Sequence, residues 1–385
     1  MNNLRKIYLD YNATTPVDSR VLDVMLPFFS DKFGNASSGQ HVFGWEAEEA
    51  VDLAREQVAR LIGARPNEIH FTSGATEAIN LAFMGICDAY QHKGKHIITC
   101  VTEHHAVLDT CQQLEKRGLD ITYLEVDKDG MIDLDDLQRA FREETILISL
   151  MHANNEIGVI HPLKEIAALA KNRNVLLMTD ATQAVGKISF DVEELNIDVA
   201  AFTAHKLYGP KGVGALYLRK RPKVHITPYL FGGGQERGLR PGTLNVPGIV
   251  GFGKAIELCA EEMQHDADRL HKLRERIERE LLSIEGVQIN GNAKNRLPHM
   301  TNMSFQHIDK SRFIPSMKRL AVSRGSACSS TTIRPSHVLK SLGLSDQLAL
   351  SSLRIGLGRF TTKEEVDTAI DIIKATVENL RLTTS

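Results

Sequence analysis

The chain has 385 residues, with 46 Lys and Arg against 48 Asp and Glu and a formal net charge of −2. That balance gives no electrostatic reason to expect nucleic acid or an anionic membrane as a direct partner. No run of 18 apolar residues supports a transmembrane helix, and residues 1–10 lack the apolar stretch of a signal peptide. By length alone the chain holds about two to three structural units. Its five cysteines, Cys87, Cys100, Cys111, Cys259 and Cys328, are odd in number and without a close pair. This usage fits a reducing cytoplasm and argues against a disulfide framework or a zinc ribbon, so no metal site is expected.

Taken in chain order, Ala47, Ala50, Val51, Ala54, Val58, Leu61 and Ile62 recur at helical spacing, and Gly63 is placed to end that helix. Glu68-Ile69-His70-Phe71 reads as a strand feeding the turn Thr72-Ser73-Gly74. Further strands are predicted at 97–101, 121–126, 146–151, 175–179, 199–202 and 213–218, and helical stretches separate several of them, as in a mostly parallel α/β sheet. Then Ile256, Ala260, Met263, Ala267, Leu270, Ile277 and Leu281 mark one long amphipathic helix. Short strands and helices follow. The reading is a large α/β domain over 15–255 and a smaller C-terminal α+β domain over 256–385, joined by residues 1–14.

The chemistry centres on Lys206, in Thr203-Ala204-His205-Lys206, directly after an apolar run, and on Asp180, which ends another. A Schiff-base lysine with an acidic partner for a pyridinium nitrogen is the protein's half of pyridoxal phosphate chemistry. Alone, Asp180 fits a helix cap equally well. Its context carries the argument, because open α/β sheets bind ligands outside the carboxyl ends of their strands, where Asp180, Thr203, His205 and Lys206 all fall. Gln183 is within reach of a ring oxygen. Thr72-Ser73-Gly74-Ala75-Thr76-Glu77 follows a strand and opens a helix, so it serves either as a phosphate cradle or as a simple cap. His104 and Asn155 also follow strands, the first as a stacking or acid–base group. Arg354, flanked by apolar residues, wants an anion, either a substrate carboxylate or an internal carboxylate. Cys328 lies among Gly325, Ser326, Ser329 and Ser330, the setting of an exposed loop. The other four cysteines lie in apolar periodic stretches and read as small hydrophobes.

With these motifs assembled, the chain resembles the group I cysteine desulfurases of the IscS/NifS type, class V aminotransferases with the fold-type I pyridoxal phosphate architecture. The resemblance runs from Tyr8-Leu9-Asp10-Tyr11-Asn12-Ala13-Thr14-Thr15-Pro16 to Leu357-Gly358-Arg359-Phe360-Thr361-Thr362. It implies a seven-stranded, mostly parallel sheet plus the smaller domain, a homodimer, and conversion of L-cysteine to alanine with sulfur left as a persulfide on Cys328 for acceptor proteins. Iron–sulfur cluster assembly and tRNA thiolation are the pathways it implies. A related lyase or transaminase, selenocysteine lyase included, and a desulfurase serving DNA phosphorothioation are the alternatives.

The same resemblance implies that Lys206 carries the cofactor covalently and moves protons, Asp180 pairs with the ring nitrogen, His104 stacks on the ring and Gln183 bonds its oxygen. Ala75, Thr76, Thr203 and His205 would hold the phosphate, and Thr243 the phosphate of the neighbouring subunit. Asn35, Asn155 and Arg354 would hold the substrate carboxylate, with Asn155 also facing the cofactor. The chain departs from the family pattern at Ala36, Pro241, Arg324 and residues 309–315.

Overall fold

The computed structural model describes residues 6–325 and 334–382. The sheet and its flanking elements run, in chain order, α1 (Val42–Leu61), β1 (Ile69–Thr72), α2 (Ala75–Tyr90), β2 (His96–Cys100), α3 (His105–Glu115), β3 (Asp120–Leu124), β4 (Thr145–Ser149), α4 (Leu163–Asn172), β5 (Leu176–Asp180), β6 (Val199–Thr203) and β7 (Gly214–Leu218). The strands form one seven-stranded sheet in the order β1-β7-β6-β5-β4-β2-β3. Only β7 runs antiparallel to its neighbours. The carboxyl ends of β1 to β6 therefore share one edge.

Side chains alternate across a strand, and here both sides are packed. Ile98, Ile148, Leu177 and Ala200 face one hydrophobic core, while Ile97, Leu147, Met178 and Val199 face another. Covering both faces explains why these strands read as continuous apolar runs rather than as alternating ones. The predicted strand edges differ from the observed ones by one or two residues.

Helix α5 (Val246–Leu282) is 37 residues long, about 55 Å at 1.5 Å per residue. Its first half gives Val246, Ile249, Phe252, Ile256 and Cys259 to the sheet core. Its second half gives Leu270, Ile277 and Leu281 to a separate C-terminal core. That core also holds an antiparallel sheet of β8 (Val287–Ile289), β9 (Met300–Phe305) and β10 (Ser352–Gly356), and helix α6 (Lys363–Leu382). The sequence pattern starts this helix ten residues late, because Pro247, Gly248, Gly251 and Gly253 read as breakers. Pro247 instead opens the helix, where its missing N–H costs nothing, and Gly251 and Gly253 are contact residues. A Cβ on Gly253 would sit 2.7 Å from the Ala54 Cα of α1, and one on Gly251 would sit 2.4 Å from Met25 Sδ. The glycines let α5 lie close against its neighbours, and Asn245 caps it by accepting from the Gly248 N–H at 3.2 Å.

The N-terminus joins the smaller core. Ile7–Tyr8 pairs in parallel with Leu320–Ala321, and Asp10 bridges to Gly356 of β10. The chain then crosses to the sheet edge, so residues 10–15 lie between the two cores.

Candidate active site

The carboxyl edge of the sheet opens into a cavity of about 530 Å³. Ala75, Thr76, His104, Asn155, Asp180, Gln183, Thr203, His205, Lys206 and Arg354 all line it. Two other expected residues do not. Asn35 and Thr243 are solvent-exposed and absent from the lining. Cys328 lies outside the described residues.

Lys206 follows β6 in a single turn of 3₁₀ helix. Its Nζ donates to the carbonyls of Asn12 and Ala13, each at 2.6 Å. Burial, then the nearby Arg354 cation, push its pKa down to about 8, against the opposing pull of Asp10 and Asp180. An amine so tuned is neutral far more often than an ordinary lysine near pH 7, which suits a carbonyl nucleophile. Asp180 ends β5 and is buried, and its Oδ1 accepts from the Thr182 N–H at 2.9 Å. On the far wall His104 caps α3, its Nδ1 accepting from the Ala106 N–H at 3.0 Å. A ring nitrogen that accepts carries no proton, so neutral His104 has its hydrogen on Nε2. Burial lowers its pKa, in keeping with a neutral ring.

The start of α2 has the features of an anion cradle. No side chain caps the helix, so its first backbone N–H groups are left without helical partners and carry the positive end of the dipole. Ser73 is tied down instead, its N–H donating to Glu77 Oε2 at 3.0 Å, and Glu77 is paired with Arg240 at 2.8 Å. A Cβ on Gly214 of β7 would stand 2.7 Å from the Gly74 Cα and from the Phe202 carbonyl. Glycine is thus required for the cradle to rest on the sheet. Thr203 donates its hydroxyl to the Val213 carbonyl at 3.0 Å, and His205 is held through Thr14 Oγ1 at 3.1 Å. Burial and the neighbouring lysines push the His205 pKa down to about 4.

Arg354, on β10, is almost fully buried. It donates to Asp10 Oδ1 at 2.8 Å and to the Asn155 carbonyl at 3.1 Å, and its Nε has no partner among the described residues. The Thr182 hydroxyl and Asn12 Oδ1 are likewise buried without partners there. Unpaired buried polar groups are costly, and a polar ligand in the cavity would satisfy such groups. Sequence reasoning assigned no role to Asn12 or Asp10, although the segment 8–16 stood out as a motif. Its Asp-Tyr-Asn-Ala-Thr-Thr run of small and polar residues was the available signal.

The family model for aminotransferase class-V matches residues 7–368. A cysteine desulfurase IscS of Anaeromyxobacter sp. (strain Fw109-5) is 53% identical over 376 residues, covering 97% of this chain and 93% of the relative. The chain belongs to the class V aminotransferases, among the cysteine desulfurases. A solved NifS-like protein superposes with a TM-score of 0.90 at 39% identity, covering 98% of this chain and all of the other. A structure described as SspA in complex with cysteine gives 0.81 at 37% identity over 92% of this chain and all of its own. Family membership makes the protein a pyridoxal phosphate-dependent desulfurase, and the cavity fits that cofactor. It presents an uncapped helix start for a phosphate, a buried carboxylate for a ring nitrogen and a low-pKa amine for an aldehyde. No helix among the described residues is long and apolar enough to cross a membrane, and none of their side chains form a metal-binding group.

Proposed function

We propose that the protein removes sulfur from L-cysteine, passes it to Cys328 as a persulfide and delivers it to acceptor proteins in the cytoplasm. The observation that carries this reading is the convergence of Lys206, Asp180 and the uncapped start of α2 on one cavity that also holds Arg354. Lys206 would hold the cofactor's aldehyde carbon and carry the proton at the substrate α-carbon. Asp180 would pair with the ring nitrogen, His104 would lie against the ring and Gln183 would donate to the ring oxygen. Ala75, Thr76, Thr203 and His205 bind the phosphate, while Asn155 and Arg354 orient the substrate carboxylate. When bound, pyridoxal phosphate supplies an electron sink for the pair released at that carbon. The Cys328 sulfur attacks the substrate sulfur, so that an S–S bond forms as the C–S bond breaks. The three-carbon fragment takes up a proton and leaves as alanine.

The active unit in this reading is a homodimer, in which Thr243 reaches the phosphate of the neighbouring subunit. Phe29, Phe33 and Phe231, which are 63%, 66% and 89% exposed, are apolar side chains that a second copy would cover. The reading also assigns 15–255 to the cofactor domain and 256–385, with 1–14, to the smaller one. Iron–sulfur assembly and tRNA thiolation are the acceptor pathways it favours. The test is incubation of holoenzyme with L-cysteine, without reductant, followed by peptide mass measurement. A gain of sulfur on the Cys328 peptide, and loss of alanine formation in Cys328→Ala, are expected. Alanine formation that survives Cys328→Ala would refute the persulfide route and favour a lyase.

A further inference from the structure

Gly186 has φ +72°, and a Cβ there would meet Leu207 Cδ2 at 2.8 Å and Cys259 Sγ at 2.9 Å. This tight turn leads into Lys187, whose Nζ donates to Gln183 Oε1 at 2.6 Å. Lys187 is half-buried, and a lysine so placed normally has a carboxylate partner. Among the described residues Lys187 has none, and the groups acting on it are Lys206 and Arg354, both cations, and the Cys259 thiol. An amine in cationic company, bonded to a neutral amide, has a specific consequence for that amide.

Gln183 is pinned at both ends. Its Oε1 accepts from Lys187 and from Asn12 Nδ2 at 3.3 Å, and its Nε2 donates to the Asn12 carbonyl at 3.1 Å. Nε2 carries two hydrogens, so one is left, on a residue that lines the cavity. Reversing the amide would set nitrogen against Lys187 and oxygen against a carbonyl. The Asn12 carbonyl, which can only accept, already favours this orientation, whereas the Asn12 side chain adds little, since its own Oδ1 has no partner among the described residues and its amide can reverse. Lys187 makes the shortest contact, and in its charged form it approaches only as a donor; burial, then the neighbouring Lys206, lowers its pKa to about 7, so the lock is strongest below that pH.

We propose that Lys187 is a positioning residue that holds the Gln183 carboxamide with its N–H toward the cavity, as the donor to the anionic ring oxygen of the cofactor. The inference rests on the cofactor reading above. A carboxamide is symmetric enough to bind the wrong way round, and an oxygen turned toward an anionic oxygen repels it. Lys187 acts with the Asn12 carbonyl against that second state. It is to Gln183 what an outer partner is to a metal-bound histidine, fixing which atom faces inward.

The visible absorbance of the holoenzyme reads the ring oxygen directly, because a donor there competes for the proton shared with the Lys206 nitrogen. Losing the donor raises the midpoint of that titration. Lys187→Met holoenzyme should bind pyridoxal phosphate and show a midpoint raised by about one pH unit, a tenfold change. Lys187→Arg, which keeps the donor, should retain the native midpoint and keeps the test alive should Lys187→Met fail to fold. The decisive comparison adds Gln183→Leu. If Lys187 acts through Gln183, the double variant matches Gln183→Leu alone. Additive shifts would overturn the proposal, since Lys187 would then act by its charge. An unchanged midpoint in Lys187→Met would overturn it equally. Absence of any visible band in the native protein supplied with cofactor would instead refute the cofactor reading.

Discussion

The depressed pKa of Lys206 has a kinetic consequence in the apoprotein. An ordinary lysine, near 10.4, is neutral about once in 2,500 molecules at pH 7, whereas one at about 8 is neutral about once in eleven. Capture of pyridoxal phosphate needs the neutral amine, so the capture rate at pH 7 should exceed that of an ordinary lysine by roughly 200- to 300-fold. Burial is the first cause of the shift and Arg354 the second. Arg354→Met removes the cation and releases Asp10 from its 2.8 Å ion pair. Asp10 already pulls the Lys206 pKa upward, so both effects act in the same direction. Burial remains, so the midpoint should rise by about one unit and not return to the ordinary value. Stopped-flow absorbance of cofactor uptake between pH 6.5 and 10 measures this directly. A native midpoint at 10 or above, or one that falls in Arg354→Met, would refute the account of how the cavity activates the amine.

Two further outcomes follow from the same geometry. Gly214→Ala puts a methyl group 2.7 Å from the Gly74 Cα. Thermal melting should show about 1–3 kcal/mol of lost stability, as for other overpacked sites, and equilibrium dialysis should show weaker cofactor retention; normal retention would mean the cradle does not rest on β7. Burial pushes His70, His152, His161 and His205 each down to about 4. Below pH 6.5 the unfolded chain therefore binds more protons than the native one, and stability falls as pH drops from 6.5 to 4. Denaturant titrations of apoprotein should show it, and His161→Leu should shrink the loss between those two pH values by about 3 kcal/mol.

Much of this site was legible because a parallel sheet sends the ends of distant strands to one edge. Asp180 and Lys206 each follow an apolar run, and β5 and β6 are neighbours, so two residues 26 apart in sequence meet without further information. The cradle was legible for the same reason, as a strand-turn-helix unit whose function depends on backbone N–H groups. What escaped was set by contacts between elements. Asp10 and Asn12 matter because Ile7–Tyr8 docks on the far C-terminal unit, which carries residues 10–15 across the cavity. No local period encodes that crossing. The start of α5 was hidden because glycine weakens an isolated helix yet permits close packing of two, and its spacing against Ala54 is known only once α1 is in place. Lys187 is the sharpest case. In sequence it is one lysine after a glycine, as a surface turn would be, and only the crowding around Gly186 turns it inward onto Gln183. The residues that line the cavity could thus be read from strand ends, whereas those that hold them in register depend on side-chain packing and had to be seen in three dimensions.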